Sequence, residues 1–381
     1  MKIIIAPDSF KESLSALDVA RAIERGFKQV FPTADYHLVP MADGGEGTVD
    51  ALVDATGGNK MQLEVTGPLG NRVLAQYGML GDGSNTAVIE MASASGLHLV
   101  PQNLRNPLLT TSFGTGELIR HALDKGARRF ILGLGGSATN DGGAGMLQAL
   151  GARLLDNQHQ SLAVGGAALQ QLAHIELDGL HPALAQSEIQ VACDVDNPLC
   201  GIRGASHIFG PQKGADKQRV LQLDKALGQL AQVVSSQSPD KAHMALLPGT
   251  GAAGGMGYAM VALLGARLTP GVELVVNALD LDNVIKGGSL VITGEGRIDG
   301  QTVYGKTPMG VLNAANRQQV PCIALAGCLG QDADAIKAHG MKAIFPILPA
   351  SVTLEQALAT GAANLERTAA NVAALLSLQP T

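Results

Sequence analysis

The chain has 381 residues, 46% of them hydrophobic and 16% charged, with 48 glycines and a formal net charge of -6. That length and composition supply apolar surface for two globular domains and exclude a disordered chain. With no run of Lys and Arg, aromatic residues at 3% and no Trp, neither phosphate tracking nor base stacking has a basis, and no nucleic-acid partner is expected.

The amino-terminal apolar run, residues 1–5, is too short for the core of a signal peptide, and no stretch of about 18 apolar residues occurs, so a cytoplasmic protein without a membrane span is expected. Cys193, Cys200, Cys322 and Cys328 lack the close spacing of zinc or thioredoxin-like pairs and read as free thiols. None of the nine His residues forms a metal-binding pair on a helix.

In chain order, residues 2–8 form a short β-branched run that predicts a strand, followed by a polar turn and an amphipathic helix over 17–30, with Ser15 and Asp18 placed to cap it. Residues 36–41 predict a second strand, 42–47 a Gly-rich loop, and 48–55 a helix closed by Gly57 and Gly58. Near the other end, residues 289–293, 322–326 and 343–347 predict strands separated by helical stretches over 309–317 and 333–338. Continuous apolar strands alternating with helices predict an α/β fold with one five-stranded, doubly wound parallel sheet. The resulting domains are 1–60 with 286–381, and an inserted α/β domain over 61–285 that holds a helix over 116–125 and a strand over 129–134. A sequential split near residue 200 is the alternative.

Three glycine patterns suggest nucleotide binding. Residues 300–307 match G-x-x-x-x-G-K-T literally, but the expected strand at 289–293 stops short of Gly300, and Glu295, Arg297 and Asp299 intervene. Lys306 is therefore expected to touch phosphate beside a helix N-terminus rather than within a true P-loop. Residues 133–138 follow a strand and imitate a dinucleotide fingerprint, with Asp156 about 20 residues on, yet the loop continues through Asp141 to Gly143. Gly135, Gly136 and Ser137 could cradle phosphate, or the glycines could serve close packing. The third, residues 249–254 with Gly255 and Gly257, suits a phosphate-approaching loop or a hinge equally, with Gly254 and Gly255 as candidates.

Charged residues gather after the predicted strands: Asp8, Ser9 and Lys11 after the first, Asp43 and Glu46 after the second, and Glu295, Arg297 and Asp299 after the third. Open α/β sheets bind ligands at that edge. Asp194 and Asp196 end another apolar run, and Lys213 lies in a glycine loop. Carboxylates that hold Mg²⁺ and accept a hydroxyl proton, with lysines and N–H groups that neutralise phosphate, are the inventory of phosphoryl transfer with ATP.

At these residues the chain resembles the type 1 glycerate kinase family, bacterial 2-kinase branch, essentially end to end. The resemblance rests on residues 6–11, 42–48, 112–117, 135–139 with 141–143, 193–198, 209–214 and 293–299. It implies a flavodoxin-like domain and a second, restriction-endonuclease-like domain with a cleft between them, and transfer of the γ-phosphoryl of ATP to D-glycerate, giving 2-phosphoglycerate in glyoxylate, galactarate or glucarate metabolism. Under that reading Asp194, Lys11 and Asp43 are catalytic, and Asp8, Ser9, Glu46 and Arg297 bind substrate. Gly135, Gly136, Ser137, Lys213, Gly254, Gly255 and Lys306 bind nucleotide; Asp194, Asp196, Glu295 and Asp299 hold Mg²⁺. A homodimer is left open. The competing readings are an NAD-dependent hydroxy-acid dehydrogenase using the Gly133 loop, and a two-lobed binding protein without catalysis.

Overall fold

A computed structural model describes residues 1–378. The chain packs as two compact units, Met1–Gly57 with Pro270–Thr381, and Gly58–Thr269.

The first unit is built on a five-stranded parallel sheet in the order Ala343–Pro346, Cys322–Leu329, Leu290–Ile298, Lys2–Ile5, Asp35–Leu38. All five strands were expected, the first from its β-branched run and the others as strand-like stretches alternating with helices, but their lengths differ. The central strand pairs with Cys322–Leu329 as far as Ile298, because backbone pairing tolerates the charged residues at its carboxyl end. Along Lys2–Ile5, Ile3 and Ile5 face the Ala16–Lys28 and Gly361–Leu376 helices, joining Val19, Ile23, Phe27, Leu365 and Val372 in one apolar cluster. Ser15 caps the first of these helices by accepting from the Asp18 N–H at 3.1 Å, the arrangement its spacing predicts.

The helices Gly271–Ala278 and Leu281–Ile285 correct the expected boundary at 285. They pack with the Thr307–Arg317 helix of the first unit, since Gly310 admits Val272 closely enough to leave no room for a Cβ. The helical stretch expected over 333–338 is the 3₁₀ helix Ala333–His339, set between left-handed Asp332 and Gly340.

The second unit carries a six-stranded mixed sheet in the order Arg267–Thr269, Glu188–Ala192, Arg129–Gly133, Thr86–Glu90, Arg72–Met79, Asn59–Thr66. The first four strands are mutually parallel and the last two antiparallel. A two-stranded hairpin pairs Arg153–Leu155 with His174–Glu176. Among the described residues no helix is long and apolar enough to cross a membrane, and the four cysteines are unpaired.

Candidate functional site

In the first unit the chain leaves the sheet at Asp8, whose N–H still donates to Gly294 O at 2.8 Å. Asp8 Oδ1 accepts from the Ser9 N–H at 2.6 Å, and Oδ2 accepts from Thr307 Oγ1 at 2.5 Å. Burial pushes the Asp8 carboxyl up to about 6; the Thr307 hydroxyl and Lys11 pull it down, and Asp43 pushes it further up. Asp43 Oδ1 accepts from the Gly45 N–H at 3.1 Å in the loop before the Thr48–Thr56 helix.

Glu295 lies inside the long central strand and is 9% exposed. Its Oε1 accepts from Thr302 Oγ1 at 2.6 Å and its Oε2 lies 3.9 Å from Lys306 Nζ. Burial pushes it up to about 7, against the lowering effect of Thr302 and Lys306, and Asp8 and Asp299 add to the rise. Arg297 Nε sits 3.2 Å from Asp299 Oδ2. Thus Asp8, Asp43, Glu295 and Asp299 gather with Lys11, Lys306 and Arg297 at the carboxyl edge of one sheet. Glu46 is exposed on the same loop as Asp43. Neither threonine was among the expected site residues. Thr307 sits in the G-K-T match, whereas Thr302 left no signal that could have found it.

The P-loop lookalike fails for a different reason from the one expected. The strand does run to Ile298, next to Asp299 and Gly300. However, the N–H groups of residues 299, 300, 301, 302 and 304 are spent on Thr302 Oγ1, Gln331 O, Asp299 Oδ1, Asp299 O and Gln301 O, and Thr307 Oγ1 is committed to Asp8, so the first half of the match cannot cradle phosphate. Lys306 remains, half-buried, as the residue before the Thr307–Arg317 helix.

In the second unit the Arg129–Gly133 strand ends in a turn at Gly135 and Gly136, both exposed. A Cβ on Gly135 would meet nothing within 4 Å. Beyond it, residues 137–141 are buried. Asp141 accepts from the Ser112 N–H and Oγ at 2.8 Å each, and from the N–H groups of Gly143 and Gly145 at 3.2 Å each. Burial pushes its carboxyl up, and these donors work against that rise. Because Asp141 and Ser112 already accept from the N–H groups of Gly143 through Met146 at the start of the Ala144–Ala149 helix, no N-terminus is left there for a pyrophosphate, and the dinucleotide fingerprint is not formed.

Three residues expected to contact nucleotide are placed inside the second unit instead. Lys213 is 2% exposed, with its Nζ donating to Ser137 Oγ at 2.7 Å and Thr139 O at 2.6 Å; it holds the loop from inside and presents no amine to a ligand. Gly254 and Gly255 are buried in a left-handed kink, where a Cβ on Gly254 would overlap Thr139 O and one on Gly255 would crowd Leu199, Leu227 and Gly142. Their role is close packing. Asp194 and Asp196 lie exposed after the Glu188–Ala192 strand, and Asp196 is paired with Arg203 at 2.8 Å.

Among the described residues no group of three or more His, Cys, Asp or Glu is arranged to hold a metal ion, so the four expected Mg²⁺ ligands do not form one cage. The donor chemistry still fits Mg²⁺ by another route, since that ion is commonly held by one or two carboxylates with substrate phosphates and water. Burial accounts for most of the rise at Glu295, and Asp8 and Asp299 add a smaller repulsion that a dication would relieve.

The glycerate kinase family model matches residues 3–377. The chain belongs to the glycerate kinase family. It is 55% identical to the glycerate kinase of Bacillus subtilis, covering 100% of this chain and 99% of that one. It is 52% identical to the glycerate 2-kinase of Escherichia coli, covering 99% and 98%. The solved structure of a glycerate kinase 2 candidate from Salmonella typhimurium LT2 superposes with a TM-score of 0.91 at 54% identity, covering 99% of this chain and 98% of that one. This membership makes the chain a kinase and displaces the dehydrogenase and binding-protein readings. In a glycerate kinase, the acid and lysine cluster of the first unit has a reaction to serve.

Proposed function

We propose that this glycerate kinase transfers the γ-phosphoryl of ATP to the 2-hydroxyl of D-glycerate in a Mg²⁺-dependent reaction in the cytoplasm, giving 2-phosphoglycerate and ADP. The observation that carries this reading is the pair of carboxyls, half-buried Asp8 and buried Glu295, each accepting from a threonine hydroxyl, with Lys306 beside Glu295. Strand order 2-1-3-4-5 in the first unit is that of flavodoxin-like doubly wound sheets, in which ligands bind outside the strand carboxyl ends. Four unpaired cysteines suit a reducing compartment.

Lys11, Ser9 and Arg297 supply cations and a hydroxyl for the glycerate carboxylate. The N–H groups of the exposed Gly135–Gly136 turn supply donors for the nucleotide phosphates, as does Lys306, and Ser137 Oγ, which accepts from Lys213, anchors that turn from beneath. Glu295 and Asp299 would hold Mg²⁺, which when bound neutralises charge on the phosphate oxygens. A carboxylate takes the 2-hydroxyl proton as the oxygen–phosphorus bond forms, and the bond to the departing ADP oxygen breaks. Asp194 is the proposed base, with Asp43 close enough to Asp8 to tune its charge. Asp8 is the second candidate, because a carboxyl raised to about 6 is matched to proton transfer near neutrality.

Phosphorus NMR of the product distinguishes a secondary from a primary phosphate ester; formation of 3-phosphoglycerate would overturn the assignment. Asp194→Asn and Asp8→Asn then identify the base, which is the residue whose loss lowers kcat by about 100-fold or more while ATP binding persists. Equal ATP consumption with and without glycerate would reject the activity as a whole.

A further inference from the structure

A buried lysine in the second unit is linked to the exposed turn by chemistry that its burial alone does not require. Lys213 closes the one-turn 3₁₀ helix Pro211–Lys213, followed by left-handed Gly214, where a Cβ would overlap the Arg105 carbonyl. Arg105 Nη1 also donates to Gln212 O at 3.3 Å. Its backbone is thus pinned, and its amine is committed to Ser137 Oγ and Thr139 O.

The loop that it holds has two faces of different character. Residues 137–141 are buried and each end is anchored: Thr110 Oγ1 donates to Ala138 O at 2.9 Å, and Asp141 collects its four donors. Gly135 and Gly136 face out, with Gly136 at φ 73, and among the described residues their N–H groups meet no acceptor. Leu97 N–H donates to Gly136 O and Ala138 N–H to Ser95 O, which sets the direction of the turn. An apolar side chain of similar length would fill the space of Lys213 without the cost of desolvating an ammonium. What it could not do is donate at once to a hydroxyl and a carbonyl two residues apart, and so hold the turn with its free N–H groups aimed outward.

We propose that Lys213 is a positioning residue for ATP, acting from beneath through Ser137 and Thr139 on the turn at Gly135 and Gly136. The proposal rests on the reading of that turn as a phosphate site. Lys213→Met in the full-length chain is expected to raise KM for ATP roughly tenfold or more, because small misplacements of a binding group are costly, while KM for glycerate stays within about twofold. A folded Lys213→Met enzyme in which both constants move together, or neither moves, overturns it. If Lys213→Met does not fold, Ser137→Ala, which removes one acceptor and leaves the amine, is expected to raise KM for ATP in the same direction; an unchanged value in folded Ser137→Ala overturns the proposal.

Gly135→Glu separates this inference from the reading beneath it, because it places a carboxylate in the open space outside the turn. A large rise in KM for ATP supports the phosphate site, and no rise rejects it together with the proposal. A rise with Gly135→Glu but none with Lys213→Met keeps the phosphate site and rejects the role of Lys213.

Discussion

Thr307 Oγ1 donates to Asp8 Oδ2 at 2.5 Å across 299 residues of chain, joining the start of the Thr307–Arg317 helix to the end of the first strand. The bond favours the ionised carboxyl and so works against the burial that raises Asp8 to about 6. Thr307→Val removes the donor at similar volume. Asp8 should then titrate higher still, and the acid limb of the kcat/KM profile should move to higher pH if ionised Asp8 is required. An acid limb that stays in place would show that Asp8 does not govern the profile.

Stability in the absence of Mg²⁺ and substrates should decline as pH rises from about 4 to 7 at these two carboxyls. Asp8 and Glu295 ionise at 3.8 and 4.5 as free groups and at about 6 and about 7 when folded. Within that window the folded chain holds protons that the unfolded chain has released, so unfolding becomes easier with rising pH. Glu295→Gln removes the buried charge and should stabilise the metal-free protein at pH 8 by on the order of 1–3 kcal/mol while lowering activity. Urea unfolding of both proteins at pH 5 and 8 measures this. The stabilisation should be present at pH 8 and largely absent at pH 5.

Two glycines of similar sequence setting should respond oppositely to alanine. Gly254 is left-handed, and its Cβ would overlap Thr139 O, so Gly254→Ala is expected to cost about 2 kcal/mol or more. Gly135 faces open space, and Gly135→Ala should change stability by less than about 0.5 kcal/mol. Thermal unfolding compares the two directly; equal losses would contradict the packing role of Gly254.

Asp196→Asn should leave both stability and Mg²⁺ dependence close to those of the parent. The Asp196 and Arg203 side chains are 74% and 66% exposed, and such pairs are worth about 0–1 kcal/mol. A titration of activity against Mg²⁺ checks the second half: a shift to much higher Mg²⁺ would make Asp196 a ligand.

The five parallel strands of the first unit were legible because each is an apolar run of period too short for a helix, bounded by glycine or charge, and the acids at their ends could be read as a ligand-binding edge from that pattern alone. Ser15, Asp18, Asp8 and Glu295 all emerged by such local reasoning. Tertiary structure alone decided which acids are buried and what holds them, since Thr302 and Thr307 reach Glu295 and Asp8 through a turn and a helix start that carry no periodic signal. It also decided the fates of the glycine motifs. Gly135 and Gly254 look alike in sequence, but one turns outward at a strand end while the other lets two backbones approach, a difference set by whatever packs opposite each glycine. Lys213 makes the same point for charge: residue type marks a cation suited to phosphate, whereas the fold buries it at Ser137 and Thr139, because only the assembled loop supplies the acceptors that compensate an ammonium removed from water.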